Sequence, residues 1–160
     1  MTCKNCIKEP VWEFTNKQKL CRKCFIVYFE KKVKSTIRKY NMPITFIKKK
    51  GLKAEIINKI ILGLPKRAGI TDDKSLDEIS AGIIFEMMHK GNIGKFFPKN
   101  QPLYFLSDKE IRLYAKIKKI KGKLFEREGK IESFLKFLEQ KNPDIRHNVV
   151  NAVLILKRNF

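Results

Sequence analysis

The order of apolar and polar positions changes character at residue 24. Before it, Val11-Trp12-Glu13-Phe14 alternates apolar with polar side chains and residues 15–18 are polar, the pattern of a short hairpin and its tip. After it, Phe25, Phe29, Val33, Ile37 and Tyr40 recur every three to four residues and line one face of a helix, while Lys31, Lys32, Lys34, Arg38 and Lys39 take its other faces. Asn41-Met42-Pro43 ends that helix, because proline disfavours helical geometry in the residue before it. The helical period continues over 54–64, apolar at Ile56, Ile57, Ile60 and Ile61 and closed by Gly63 and Pro65. Two Ser-x-x-Glu boxes, Ser75 with Glu78 and Ser107 with Glu110, each predict a helix start, since serine and glutamate satisfy each other's backbone N–H groups there. The first helix is expected to reach about His89, with Leu76, Ile79, Ile83, Phe85, Met87 and Met88 turned inward; the second carries Ile111, Tyr114 and Ile117 on one side. Two further helices are expected over 131–140 and 144–156, divided by Asn142-Pro143, and short strands around 44–47 and 124–125.

All four cysteines fall within this first stretch, as Cys3, Cys6, Cys21 and Cys24, in the spacing C-x2-C-x14-C-x2-C. Two residues between cysteines turn both sulfurs to one side, and two such pairs complete a tetrahedral thiolate set around Zn²⁺. An iron centre on the same thiolates is the other metal chemistry the set admits. Two disulfides would need an oxidising compartment, and MTCKNCIKEP has no apolar stretch of the kind a signal peptide carries, so a cytoplasmic protein with reduced thiols is expected. Four thiolates saturate a tetrahedral ion and leave no position for water, which makes the expected site structural. The fold class that follows is mainly α with little β structure: a four-cysteine zinc ribbon or knuckle over 1–24, then a small basic helical domain over 25–160.

Charge sharpens this picture. The chain has 36 Lys and Arg against 16 Asp and Glu, a formal net charge of +20, in 160 residues whose 43% hydrophobic content and 12 Phe suit one folded core. Residues 1–60 carry 16 basic and 4 acidic side chains, residues 61–114 carry 8 and 7, and residues 115–160 carry 12 and 5. Basic ends flanking a neutral middle predict a nucleic-acid surface, because each phosphate met by Lys or Arg releases a counterion. The expected phosphate contacts are Lys31, Lys32, Lys34, Arg38 and Lys39 on the helix and Lys48, Lys49 and Lys50 in the loop after it. No apolar run approaches the ~20 residues that span a bilayer, so no membrane partner is expected. Catalytic motifs are absent: there is no GxxxxGK[ST], GxGxxG or SGGxDS loop and no fifth cysteine, and His89 and His147 each stand alone. The acidic group Asp72, Asp73, Asp77 and Glu78 sits where a helix N-terminus attracts carboxylates and is expected to cap it.

The run Leu20-Cys21-Arg22-Lys23-Cys24-Phe25, with Phe29-Glu30, Val33 and Thr36-Ile37-Arg38-Lys39-Tyr40, resembles the N-terminus of the TtuA-type tRNA 2-thiouridine synthetases. In that family a zinc ribbon and basic helix precede a PP-loop domain that adenylates a tRNA uridine before sulfur is inserted. Gln101-Pro102-Leu103, Lys109-Glu110-Ile111 and Leu113-Tyr114-Ala115 resemble its segment beyond the catalytic core, and Phe134-Leu135, Leu138-Glu139 and Pro143 its following helix pair. Leu76-Asp77-Glu78 through Lys90-Gly91-Asn92 is similar to the family's NLDDEAQ helix with a one-residue slip. Where SGGxDS would follow Tyr40, this chain passes through Lys48-Lys49-Lys50 into the next helix, and the family's cluster cysteines and second zinc ribbon are not found; Glu128-Gly129 stands near the third cysteine's place. The resemblance therefore implies a truncated relative lacking the ATP-binding core. Its expected role is that of a zinc-containing, non-catalytic tRNA-binding subunit for targeting or regulating tRNA thiolation, or half of a split ATP-dependent sulfurtransferase. Its expected partners are tRNA and a separate PP-loop thiolase protein or a second copy of itself. A reading from another class is a DNA-binding zinc-ribbon transcriptional regulator whose helices dimerise.

Overall fold

The structure, a computed structural model, describes residues 2–42, 45–47, 50–64, 72–124 and 127–158. Strands β1 (Pro10–Glu13) and β2 (Lys19–Cys21) pair antiparallel, with Trp12 opposite Leu20 and Glu13 opposite Lys19. The chain then runs through α1 (Arg22–Lys39), α2 (Leu52–Ile61), α3 (Leu76–Met88), a 3₁₀ turn (Ile93–Phe96), α4 (Asp108–Lys118), α5 (Lys130–Lys141) and α6 (Ile145–Arg158). The fold is mainly α, as the periodicity predicts. Both capping boxes form: the Ser75 N–H donates to Glu78 at 2.9 Å and the Ser107 N–H to Glu110 at 2.8 Å. The strands expected around 44–47 and 124–125 do not form among the described residues, which exclude Ile44 and Phe125. Ile47 shows why. Its N–H donates to Asn58 Oδ1 at 2.8 Å and its carbonyl accepts from Asn58 Nδ2 at 2.9 Å, so a side-chain amide takes the place of a neighbouring strand.

Two apolar cores organise these elements. In the first, Phe25, Phe29, Val33 and Ile37 of α1 meet Ile56, Ile57, Ile60 and Ile61 of α2 and Ile111, Tyr114 and Ala115 of α4, together with Cys3, Leu20 and Cys21 of the N-terminal hairpin. The Phe29 and Tyr114 rings stack with centroids 4.1 Å apart. In the second, Leu76, Ile79 and Ile83 of α3 pack with Phe96, Tyr104 and Val150 and Val153 of α6. Gly82 lets α3 approach this core, because a Cβ there would lie 2.5 Å from the Phe96 ring. The inward stripe of α3 ends at Ile83: Phe85, Met87 and Met88, expected inside, are exposed. Phe85 sits two residues from Ile83, on the other side of the helix, and the two methionines belong to the last turn, beyond the last buried position.

A buried charge network joins the helices around these cores. Arg146, 3% exposed at the start of α6, donates to Glu132 of α5 at 2.7 Å and to Glu139 at 2.8 Å, and its Nε lies 3.2 Å from Asp77 of α3. Lys53 of α2 reaches Glu78 and Ser75, and Arg127 pairs with Asp108 of α4. Burial raises the pKa of Asp77, and the neighbouring Asp108 charge adds to that effect.

Candidate functional site

The four cysteines meet where the hairpin joins α1. The Cys6 N–H donates to the Cys3 carbonyl at 3.3 Å and closes the first knuckle, which the Lys4 N–H pins to the Lys19 carbonyl of β2 at 2.8 Å. Cys21 ends β2 and Cys24 lies in the first turn of α1. All four sulfurs lie within 4.8 Å of one another, with Cys6 Sγ 3.5 Å from Cys21 Sγ and 3.9 Å from Cys24 Sγ. One tetrahedral ion with metal–sulfur bonds of about 2.3 Å sets its thiolates about 3.8 Å apart, so the set fits a single ion. A cubane cluster interposes several irons and sulfides and holds its thiolates wider apart. The thiols also resist ionising together. Burial works against the Cys3 thiolate, yet backbone bonds from Cys21, Asn5 and Cys6 hold that thiol down to about 6, whereas Cys24 is pushed up to about 12, first by its bond with the Cys21 sulfur and then by burial. A cation is what brings four such thiols to thiolate at once.

Because Cys24 lies within α1, the metal centre and the charged faces of that helix are one rigid body. Lys31, Arg38 and Lys39 are exposed, Lys34 is half-buried, and Lys39 Nζ lies 5.4 Å from the Tyr40 ring centroid. Lys50 is exposed ahead of α2, and Lys48 and Lys49 lie outside the described residues. Lys32 is placed differently from its neighbours. Its Nζ donates to Tyr28 Oη at 2.7 Å and lies 3.7 Å from Glu110, and burial lowers its pKa against the pull of that carboxylate. The lone acid of α1, Glu30, accepts from Tyr114 Oη at 2.8 Å and pairs with Lys118 at 3.0 Å, so α1 shows solvent almost purely positive charge.

A groove of about 830 Å³ separates the hairpin from α4, α5 and α6, lined among others by Trp12, Phe14, Tyr28, Lys109, Lys136 and His147. His147 is half-buried there with its pKa lowered, by burial first and then by Lys32. His89 is remote from it: its Nδ1 lies 2.8 Å from the Phe85 carbonyl and its ring stacks on Phe85 at 4.2 Å. The acidic group of α3 is held by cations of the protein, Asp77 by Arg146 and Glu78 by Lys53, and Asp72 lies 3.1 Å from Lys74. Among the described residues, the four cysteines are the one group of three or more His, Cys, Asp or Glu gathered closely enough to hold a metal ion.

In fold, the chain is similar to a tRNA thiolase. Its whole length superimposes on 88% of the U34-tRNA thiolase NcsA from Methanococcus maripaludis, a structure described with its [4Fe-4S] cluster, at a TM-score of 0.73 and 12% sequence identity. At that identity the likeness is one of fold. No family model matches the chain, and no curated protein matches it in sequence. The groove and the Arg146 network are the features the sequence did not announce. The one hint of the network was Glu132 and Glu139, seven residues apart and so on one face of α5.

Proposed function

We propose that the chain is a tRNA-binding protein of tRNA thiolation, related to the tRNA 2-thiouridine synthetases, whose cysteines hold Zn²⁺ and whose role is non-catalytic targeting or regulation, or that of one half of a split enzyme. The observation that carries this reading is a four-cysteine set close enough to hold a metal ion, fused to a positively charged helix, in a fold that matches 88% of a U34-tRNA thiolase chain. Zinc is favoured because a closed set of four thiolates at this spacing is the usual structural zinc site. In this reading residues 1–24, the exposed cations Lys31, Arg38, Lys39 and Lys50 and the half-buried Lys34, continued by Lys48 and Lys49, dock on phosphates. Lys32 supports that face from within. Adenylation needs backbone N–H groups cradling phosphates, and the sequence carries no such loop, so ATP chemistry falls to a separate PP-loop protein. The place of action is the cytoplasm. Binding of the metal-loaded protein to tRNA and to duplex DNA at matched salt tests the proposal. Affinity for tRNA at least about tenfold above that for DNA is expected, since A-form and looped RNA present a different surface from a DNA groove. Equal or tighter binding to DNA would instead favour the transcriptional regulator.

A further inference from the structure

The outer face of α5 has a composition that neither the core nor solubility explains. Its buried and half-buried arc holds Ile131, Glu132, Leu135, Leu138 and Glu139, and both glutamates on that arc are bonded to Arg146. Every charge left at an exposed position of the helix is therefore positive: Lys130, Lys136 and Lys141. Between them stand Phe134 and Phe137, 48% and 52% exposed. Lys130, Phe134, Phe137 and Lys141 follow one another at intervals of four, three and four residues. They form a single stripe roughly 16 Å long at the helical rise, with two aromatic rings in the middle and a cation at each end. Lys141 Nζ already lies 5.3 Å from the Phe137 ring centroid. Lys136, on a different face of the helix, lines the groove that runs back to the hairpin.

We infer that this stripe is a stacking platform for unpaired nucleotides of an RNA. Each exposed ring offers a face to one base, and the flanking lysines meet the phosphates on either side, which is how sequence-tolerant single-strand sites combine aromatic stacking with a basic track. The charge balance selects this occupant. A protein helix docking by an apolar face alone would leave the flanking Lys130 and Lys141 without a countercharge, whereas a polyanion releases a counterion at each. A second copy of the chain would bring like charge onto like charge. The inference rests on the tRNA-binding reading and extends it to a second contact, separate from the basic face of α1.

Binding of a short unstructured oligouridylate and of tRNA to the full metal-loaded chain, measured by fluorescence anisotropy across a salt series, tests it. The double variant Phe134→Ala with Phe137→Ala is expected to weaken oligouridylate binding roughly hundredfold, about tenfold per ring, with the salt slope unchanged. Phe→Tyr at both positions should bind as wild type, and Phe→Leu should lose affinity as alanine does. Lys130→Ala with Lys141→Ala should instead lower the slope by about two units. Circular dichroism and light scattering on each variant confirm that fold and mass are kept. Retained affinity in the alanine variant overturns the platform, as does wild-type binding by the leucine variant, which would mark a merely apolar contact. A change of mass in the alanine variant without a change in RNA affinity would show a self-contact and also overturn it. If wild type binds tRNA while the alanine variant binds oligouridylate normally, only the platform falls; if wild type binds neither RNA, the tRNA-binding reading falls with it.

Discussion

At the scale of single residues, the cysteines decide most. Cys21 is 2% exposed and belongs both to the thiolate set and to the first core, so losing the metal also loosens Leu20 and Phe25 beside it. One zinc per chain is expected by elemental analysis, and Cys21→Ser should release it and melt the hairpin, since structural zinc contributes roughly 10 kcal/mol or more of apparent free energy to such modules. Iron in place of zinc, or no metal, would refute the assignment. Protons compete with the ion for the thiolates, so the sign is fixed: the metal is held at neutral pH and lost as pH falls, which a zinc-sensitive dye reads directly. The spacing C-x2-C made this centre legible in the sequence, because ligands two residues apart are tied together by local geometry alone. Lys32 was not legible in the same way. On a helical wheel it stands among the solvated lysines, and only the arrival of Glu110 on α4, a distant segment of chain, turns it inward.

At the scale of elements, Arg146 is what locks the starts of α3, α5 and α6 to one another. It is surrounded by Asp77, Glu132 and Glu139, and replacing it leaves Asp77 and Glu132 with only the longer contacts to Arg127, at 3.9 and 3.6 Å. Arg146→Met should cost about 3–5 kcal/mol in urea unfolding, and adding Glu132→Leu should recover part of that, because a buried pair replaced by apolar groups of similar volume is often close to neutral. A loss under about 1 kcal/mol would show that water already reaches the site. The helices themselves were readable where their signals are short-range: the Ser75 and Ser107 boxes, the stripe from Phe25 to Ile37, and the break at Asn142-Pro143. What joins them was not, since Arg146 meets the Asp77 carbonyl across 69 positions of sequence. The same limit explains Phe85, Met87 and Met88. Hydrophobicity placed them inside, but only the packed neighbours determine where a core ends.

At the scale of the whole molecule, a net charge of +20 is arranged rather than spread. The acids Glu30, Asp77, Glu110 and Glu132 are drawn into bonds with tyrosines, lysines and arginines, and the exposed cations of α1 are left to face solvent. Alanine at Lys31, Arg38 and Lys39 together should therefore reduce the slope of log K against log salt for tRNA by about one unit per lost contact and leave stability near wild type. Lys32→Ala should do the reverse, lowering stability by about 1 kcal/mol through the lost bond to Tyr28 and the lost charge beside Glu110, which keeps its bonds from Tyr28 and Ser107, while leaving the slope alone. Titrations at several salt concentrations, beside thermal melts, separate the two behaviours. The stretch from Leu103 to Leu106 gives the molecule one further property. Leu103 and Leu106 belong to the first core, while Tyr104 belongs to the second with Phe105 packed against it, so four successive residues are shared out between the two. A single inserted residue here would send each of these side chains away from the core it fills. Over evolutionary time this seam should therefore keep a fixed length.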